Sequence, residues 1–474
     1  MSRRRLRRLR ERAPVFQESG EPVRRRVAPP PSRDERVLRE RIQRFAFQSR
    51  FKEDFERAIR LYFGEDALQG NVLTVDEKAL PSFQEWFFFD YVASEGERII
   101  DLFAREVGPR LPVAQRQMLD DWRRVNRYRL FEVQQVEPGV GETLQDLLSG
   151  EIFELNDISA SYGLTRWEII LARPIVTEGR WHFTGSTIPL PPTFKPDILD
   201  YARELWDKYR AQHPQASLDD FYRDHGLDLH LRIKEIASTP PTVYTPEGHL
   251  LMSSIARYTV TDPDAVRERL DRAAEFVFVG PADEDRRALA YVWLLTGRSR
   301  VPEVPVEKGL MFQTNWEAAD GKGESFRSLG DVRLWRNRME LLCLSRERLE
   351  AGKALLQEIL GPRLIHHVGD EFKDIVQEAF QESPASRRRR RALSREERAI
   401  AHRMLVEQHK TWVDTAVPAL DGKSPRQAAG DPQMRERLEE LLKAIEYNEE
   451  KKRRAGEPYM DIADLRRELG LPPR

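Results

Sequence analysis

Between Asp34 and Phe63 apolar side chains recur at helical spacing, Phe47, Phe51, Phe55, Ile59 and Phe63 falling four apart, and the pattern predicts a helical stretch over 34–63. The run PSFQEWFFFDY at 81–91 is so dense in aromatics that a helix there must bury most of its faces. Further helices are predicted over 94–107 and 113–124. At Arg127 the period changes. Segments 128–136, 151–158, 167–176 and 181–190 are rich in strand formers and separated by turns containing Gly or Ser. Short strands in such close succession predict a small antiparallel β barrel, ended by Pro189, Pro191 and Pro192.

Helices resume over 196–211 and 217–237. After Thr239-Pro240-Pro241 a mixed region begins, with strands at 250–260, 289–295, 309–316 and 338–344 and a helix at 264–276. Ser345 is placed to cap a helix that stops at Gly361-Pro362. Near the C-terminus Ser394 and Glu397 form a capping box, followed by an apolar face of Ile400, Ala401, Met404, Leu405, Trp412 and Val413. Pro418 breaks that face and Asp421-Gly422 reads as a turn. Ser424-Pro425 and Asp431-Pro432 each signal a helix start, and Met434, Leu438, Leu441, Leu442 and Ile445 then share one face. A terminal helix carries Ile462, Leu465 and Leu469.

The fold class expected is a multidomain α+β protein with a helical N-terminal region, a small antiparallel β barrel, an α+β domain and a C-terminal helical module. The divisions fall at 1–34 (a disordered basic arm), 35–125 (helical), 126–192 (barrel), 193–238 (helical connector), 239–381 (α+β), 382–393 (basic linker) and 394–474 (helical module). A length of 474 residues agrees with several domains.

Charged residues make up 33% and hydrophobic residues 40%, enough for real cores beneath a very polar surface. The net charge of −1 gives no bulk field for polyanions. A single cysteine fits a reducing compartment and excludes an internal disulfide. No apolar run approaches the ~18 residues of a membrane span. The basic opening MSRRRLRRLRER is not followed by the apolar stretch of a secretory signal. A cytoplasmic protein without a membrane partner is expected.

Catalytic chemistry is not legible in this chain, and the expectation is a protein without enzymatic activity, cofactor or metal. His225 and His230 in DHGLDLH are five apart, a poor spacing for one helix face, and His402 and His409 have no Cys or carboxylate to complete a site. Ser345 sits in CLSRE, without the glycines of a nucleophile elbow, and reads as a helix cap. DGKGES at 320–325 lacks the phosphate-loop spacing. Cys343 reads as a small buried hydrophobe.

Two arginine runs have a stronger claim. Arg3, Arg4 and Arg5 open the basic arm, and Arg387, Arg388, Arg389, Arg390 and Arg391 form the linker. Together with Tyr128, Phe131, Phe153, Trp167, Trp181 and Phe183 of the strand region as stacking aromatics, they make RNA or DNA binding the alternative function, salt-dependent through the phosphates.

Trp412, Pro418, Leu420, Gly422, Lys423 and Pro425, followed by an Arg/Glu-rich helix reaching Glu446, resemble the toxin-binding domain of Xre/MbcA/ParS-type antitoxins. The resemblance implies a helical module that docks a protein partner through 394–446, that partner being a toxin of the RES type, with these six residues at the contact. The same segment, with 83–91 and 333–361, is similar to large uncharacterised bacterial proteins, many of which carry a SEC-C zinc motif; with Cys343 alone, this chain has no such motif. The leading expectation is therefore a non-enzymatic interaction protein.

Overall fold

The computed structural model describes residues 26, 30–70, 72–282, 285–297, 299–306, 310–317, 325–381, 412–415 and 417–472. Both arginine runs, the DGKGES glycines, His402, His409 and the helix expected from Ser394 lie outside the described residues. Two compact units are present, one formed by 1–237 with 393–474 and the other by 238–392.

Among the described residues the first unit opens with five helices: α1 (Arg33–Ala46), α2 (Lys52–Phe63), α3 (Leu80–Phe89), α4 (Ile99–Glu106) and α5 (Val113–Val125). The helix expected over 34–63 is in fact two. The chain leaves helical geometry at Phe47 and makes a 3-10 turn over Ser49–Phe51 before α2. Breaking there lets Phe45 and Phe51 both enter the core, their rings 5.6 Å apart. In α3, Phe83, Trp86, Phe87, Phe88 and Phe89 are all buried, as the aromatic density required.

Next comes a five-stranded antiparallel sheet of β1 (Arg129–Glu137), β2 (Gly141–Asp146), β3 (Ile152–Leu155), β4 (Ile169–Thr177) and β5 (Arg180–Leu190), in the order β3-β2-β1-β4-β5. It is not the closed barrel expected. Register shifts in the β1–β2 and β4–β5 pairs curl it, but its edge strands meet only near the end of β3. There the Asn156 amide donates to the Trp181 carbonyl (2.8 Å) and the Phe183 amide to Asp157 Oδ2 (3.2 Å), without forming a ladder. A short helix, α6 (Ile158–Gly163), occupies the connection instead. Alternation along the strands serves two cores. Leu130, Ile169, Leu171 and Ile175 join the core of the helices. Phe131, Val133, Leu144, Phe153, Leu155, Ile170 and Ala172 fill a separate one. Helices α7 (Lys195–Gln212) and α8 (Leu218–Ser238) follow close to the expected bounds.

The second unit is a seven-stranded antiparallel sheet made by β6 (Ser253–Val260), β7 (Phe276–Pro281), β8 (Leu289–Leu294), β9 (Asn315–Glu317), β10 (Ser325–Leu334), β11 (Arg338–Cys343) and β12 (Ile365–Lys373). The order is β7-β8-β10-β11-β6-β12, with β9 paired to β10. Helices α9 (Pro263–Arg272) and α10 (Arg346–Leu360) contribute Val266, Leu270, Leu349, Leu355 and Leu356 to its core. Ser345 caps α10 by accepting from the Arg348 amide (3.1 Å), and Cys343 is buried. The fully buried Arg348 guanidinium is held by Glu247 at 2.8 Å. Helix α11 (Ile375–Gln381) ends the described part of this unit.

The chain then returns to the first unit with α12 (Pro425–Gly430), α13 (Arg435–Ala455) and α14 (Ile462–Glu468). Ser424 and Gln427 close a reciprocal capping box on α12. Among the described residues no helix is long and apolar enough to cross a membrane.

Candidate functional site

The C-terminal module packs around its own apolar core. Val413, Leu420, Ala428, Met434, Leu438, Leu442, Ile462, Leu465 and Leu469 are buried together, with Trp412, Leu441 and Ile445 packed against them. This cluster is separate from both cores of the rest of its unit. Of the six residues assigned to partner contact, Leu420 and Pro425 lie in the interior and Trp412 is half-buried. Pro418 starts the 3-10 turn Pro418–Leu420. Gly422 is exposed at φ +76°, and Lys423 pairs with Asp431 at 2.7 Å. The Val417 amide donates to the Lys423 carbonyl (3.0 Å), closing the turn. Much of the motif thus builds the module, and its Gly422–Lys423 tip faces outward.

The opposite face of α13 sits on β1, the loop between α6 and β4 and the start of α7 through charged groups. Glu132 of β1, almost wholly buried, is sandwiched between Lys195 Nζ (2.8 Å) and Lys443 Nζ (3.0 Å). Glu440 bridges both ammoniums, at 3.2 and 2.8 Å. Glu446 accepts from Arg166 (3.0 Å) and from the Trp167 indole N–H (2.8 Å). Buried Glu168 accepts from the Tyr447 hydroxyl (3.3 Å) and pairs with Lys451 (3.2 Å). Arg454 donates to the Leu164 carbonyl (2.8 Å). The Trp167 ring lies beneath Arg166 and Lys443, 4.3 and 4.9 Å from its centroid. Its backbone is held at φ +69°, a strained setting for a bulky residue, by a hydrogen bond from its amide N–H to the Val133 carbonyl (2.7 Å).

Burial alone pushes the Glu132 carboxyl up, but the two ammoniums outweigh it and hold the group below its ordinary range. A carboxylate with a depressed folded value stabilises the attachment above its free value of about 4.3 and loses that contribution as the pH falls through the folded value. The seat of α13 is therefore expected to loosen in acid. Lys443→Met should loosen it at neutral pH, because Glu132 then keeps only Lys195. Amide hydrogen exchange along α13 is the measurement: faster exchange in the variant is expected, and unchanged protection would mean that the charged contacts do not hold the helix.

Of these seat residues the sequence pointed to Trp167, as a stacking aromatic, and to Glu446, as the end of the Arg/Glu-rich helix; the charged partners were not singled out. The one local signal is Glu132, a carboxylate inside the apolar strand LFEV. The aromatics considered for base stacking are mostly interior, with Tyr128, Phe131, Phe153 and Trp167 buried and Trp181 and Phe183 half-buried. His230 stacks between Tyr62 and Tyr128, and burial brings its imidazole down to about 4. His225 bonds Asp228 at 2.8 Å. A cleft of about 480 Å³ between α1 and β5 is lined by Glu35, Arg39, Asp157, Trp181 and His182. Among the described residues its one close acid–imidazole approach is His182 to Glu35, at 3.9 Å, beyond hydrogen-bond reach.

No family model, curated protein or solved structure matches this chain.

Proposed function

We propose that this is a non-enzymatic interaction protein whose C-terminal helical module docks a protein partner. One observation carries the reading: the module closes its own apolar core, yet its seat is made by ion pairs and polar bonds. Contacts of that kind resemble transient interfaces, since charge pairs confer registry and screen readily, whereas shared apolar cores tie elements together permanently. The outward Gly422–Lys423 tip is a part of the resemblance motif left for a partner, and the resemblance makes that partner a RES-type toxin.

The test is binding of a purified RES-type toxin to the full chain, measured by calorimetry. Wild type should bind, Lys423→Glu should weaken binding at least tenfold, and Lys443→Met should tighten it by freeing the module. Absence of binding to both wild type and Lys443→Met, or equal binding by Lys423→Glu, overturns the reading.

A further inference from the structure

A second cavity of the first unit, about 310 Å³, is lined by Arg98, Arg123, Arg124, Arg223, Asp101, Asp120, Phe89 and Ile100. Four guanidiniums thus converge on one small space, and they are not equally neutralised. Arg123 is bound to Asp101 (2.8 Å) and lies 3.6 Å from Asp120. Arg124 is paired with Asp121 at 2.6 Å and Arg98 with Asp224 at 2.7 Å. Arg223 differs. Its hydrogen bond is to the Arg123 carbonyl (3.2 Å), and among the described residues no carboxylate comes within ion-pair distance of it. The Nε of Arg98 has no acceptor, and behind the lining the buried Arg127 pairs with Asp219 (3.3 Å) through Nη1 while its own Nε has none. Arg127 lies close enough to Arg223 for their charges to repel. Burial and that repulsion together bring the Arg127 guanidinium down to about 10.

The backbone adds to the same field. Helix α4 begins at this cavity: Ile100 in its first turn lines it, and the N-cap position is Arg98, which supplies no side-chain acceptor for the first amides. The open end of a helix carries about half a positive charge. A helix end and a guanidinium that Asp90 and Asp220 attract only from beyond ion-pair distance are elements from which anion sites are made. Guanidinium forks match the oxygens of phosphate in particular. At roughly 30 Å³ per water in the liquid, the space holds a phosphate group and a few more atoms, not a polymer.

We propose that this cavity binds the phosphate group of a small molecule, with Arg223 and the N-terminus of α4 as the principal contacts. The site shares no residue with the α13 seat and does not depend on the partner reading. It assigns to the helical part of the chain a ligand-binding role that no motif announces.

The experiment is calorimetric titration of the full chain with inorganic phosphate, pyrophosphate and adenosine monophosphate, at fixed ionic strength with chloride as the control. The variants are Arg223→Gln, Arg223→Lys and, as a control outside the cavity, Arg210→Gln. Wild type and Arg210→Gln should bind at least one of the three phosphates. Arg223→Gln should weaken binding at least tenfold and Arg223→Lys by less. Because Arg223 is half-exposed, the variants should fold, which circular dichroism checks. Tighter binding of adenosine monophosphate than of phosphate would mark an organic phosphate as the ligand; the reverse order would mark the free anion. No binding by wild type, or equal binding by Arg223→Gln, overturns the proposal, as does a single-stranded oligonucleotide that binds more tightly than all three.

Discussion

Replacing Arg173 by methionine is expected to destabilise the first unit by about 3–5 kcal/mol, the cost of leaving one member of a buried ion pair alone. Arg173 is 1% exposed and reaches Asp90 at 2.6 Å, with both side chains closed to solvent. Its Nε donates to Asn126 Oδ1 (2.9 Å), its second amino group reaches the Asn126 carbonyl (3.3 Å), and its guanidinium lies 4.6 Å from the Tyr128 ring centroid. Asn126 passes the network on to Glu85 (2.7 Å), which Arg39 of α1 also holds (2.8 Å). One side chain on β4 therefore ties the sheet to α1, α3 and the start of β1. In the variant, Asp90 would be a buried carboxylate whose Oδ1 has no partner even now. Urea unfolding read by circular dichroism measures the loss. Adding Asp90→Asn should recover part of it, because the pair is non-additive. A loss below about 1 kcal/mol would mean that the pair is not closed to water as described.

Glu142→Gln is expected to do the opposite and stabilise the protein at neutral pH by on the order of 3 kcal/mol. Glu142 stands on β2 across from Val136 and Leu155, is buried, and has no partner for either carboxylate oxygen. Burial first, and then the charge of Asp157, push its carboxyl up to about 8. The unfolded value is about 4.3. A group whose folded value is raised binds more protons in the folded state, so its contribution is fully present below about pH 4.3 and is lost as the pH rises toward 8. Glutamine keeps the shape and cannot ionise. The stability gap between variant and wild type should therefore be small at pH 4.5, grow through pH 6 and be large by pH 8. A gap that does not change with pH would show that Glu142 reaches water or a partner.

These two groups show where reading the chain falls short. Helix termini were legible because their causes are local: Ser345 caps α10, and Ser424 with Gln427 closes the box on α12, within a few residues. The aromatic helix α3 was legible because no other arrangement buries so many rings. The strand β2, GETLQD, was not. It has no β-branched run, and pairing with β1 and β3 on either side makes it a strand, with Leu144 in the core. β10 was likewise not expected; pairing with β8 and β11 on either side holds its Gly330 and Asp331 in register. The open edge of the curled sheet was misread as closed because strand count says nothing about whether the last strand meets the first.

The chain's own chemistry determined the alternation of helical and strand segments, the caps, the apolar faces of α13 and α14 and the tight turn before Ser424. All of these follow from propensity and periodicity over a few neighbouring residues. Tertiary structure alone decided which charges are buried and with whom. Glu132 meets Lys443 across 311 positions, Arg173 meets Asp90 across 83, and Arg223 is brought beside Arg98 by the packing of helices far apart in the chain. Coulomb energy and desolvation depend on distance in space and on access of water, and neither is written in the order of the residues.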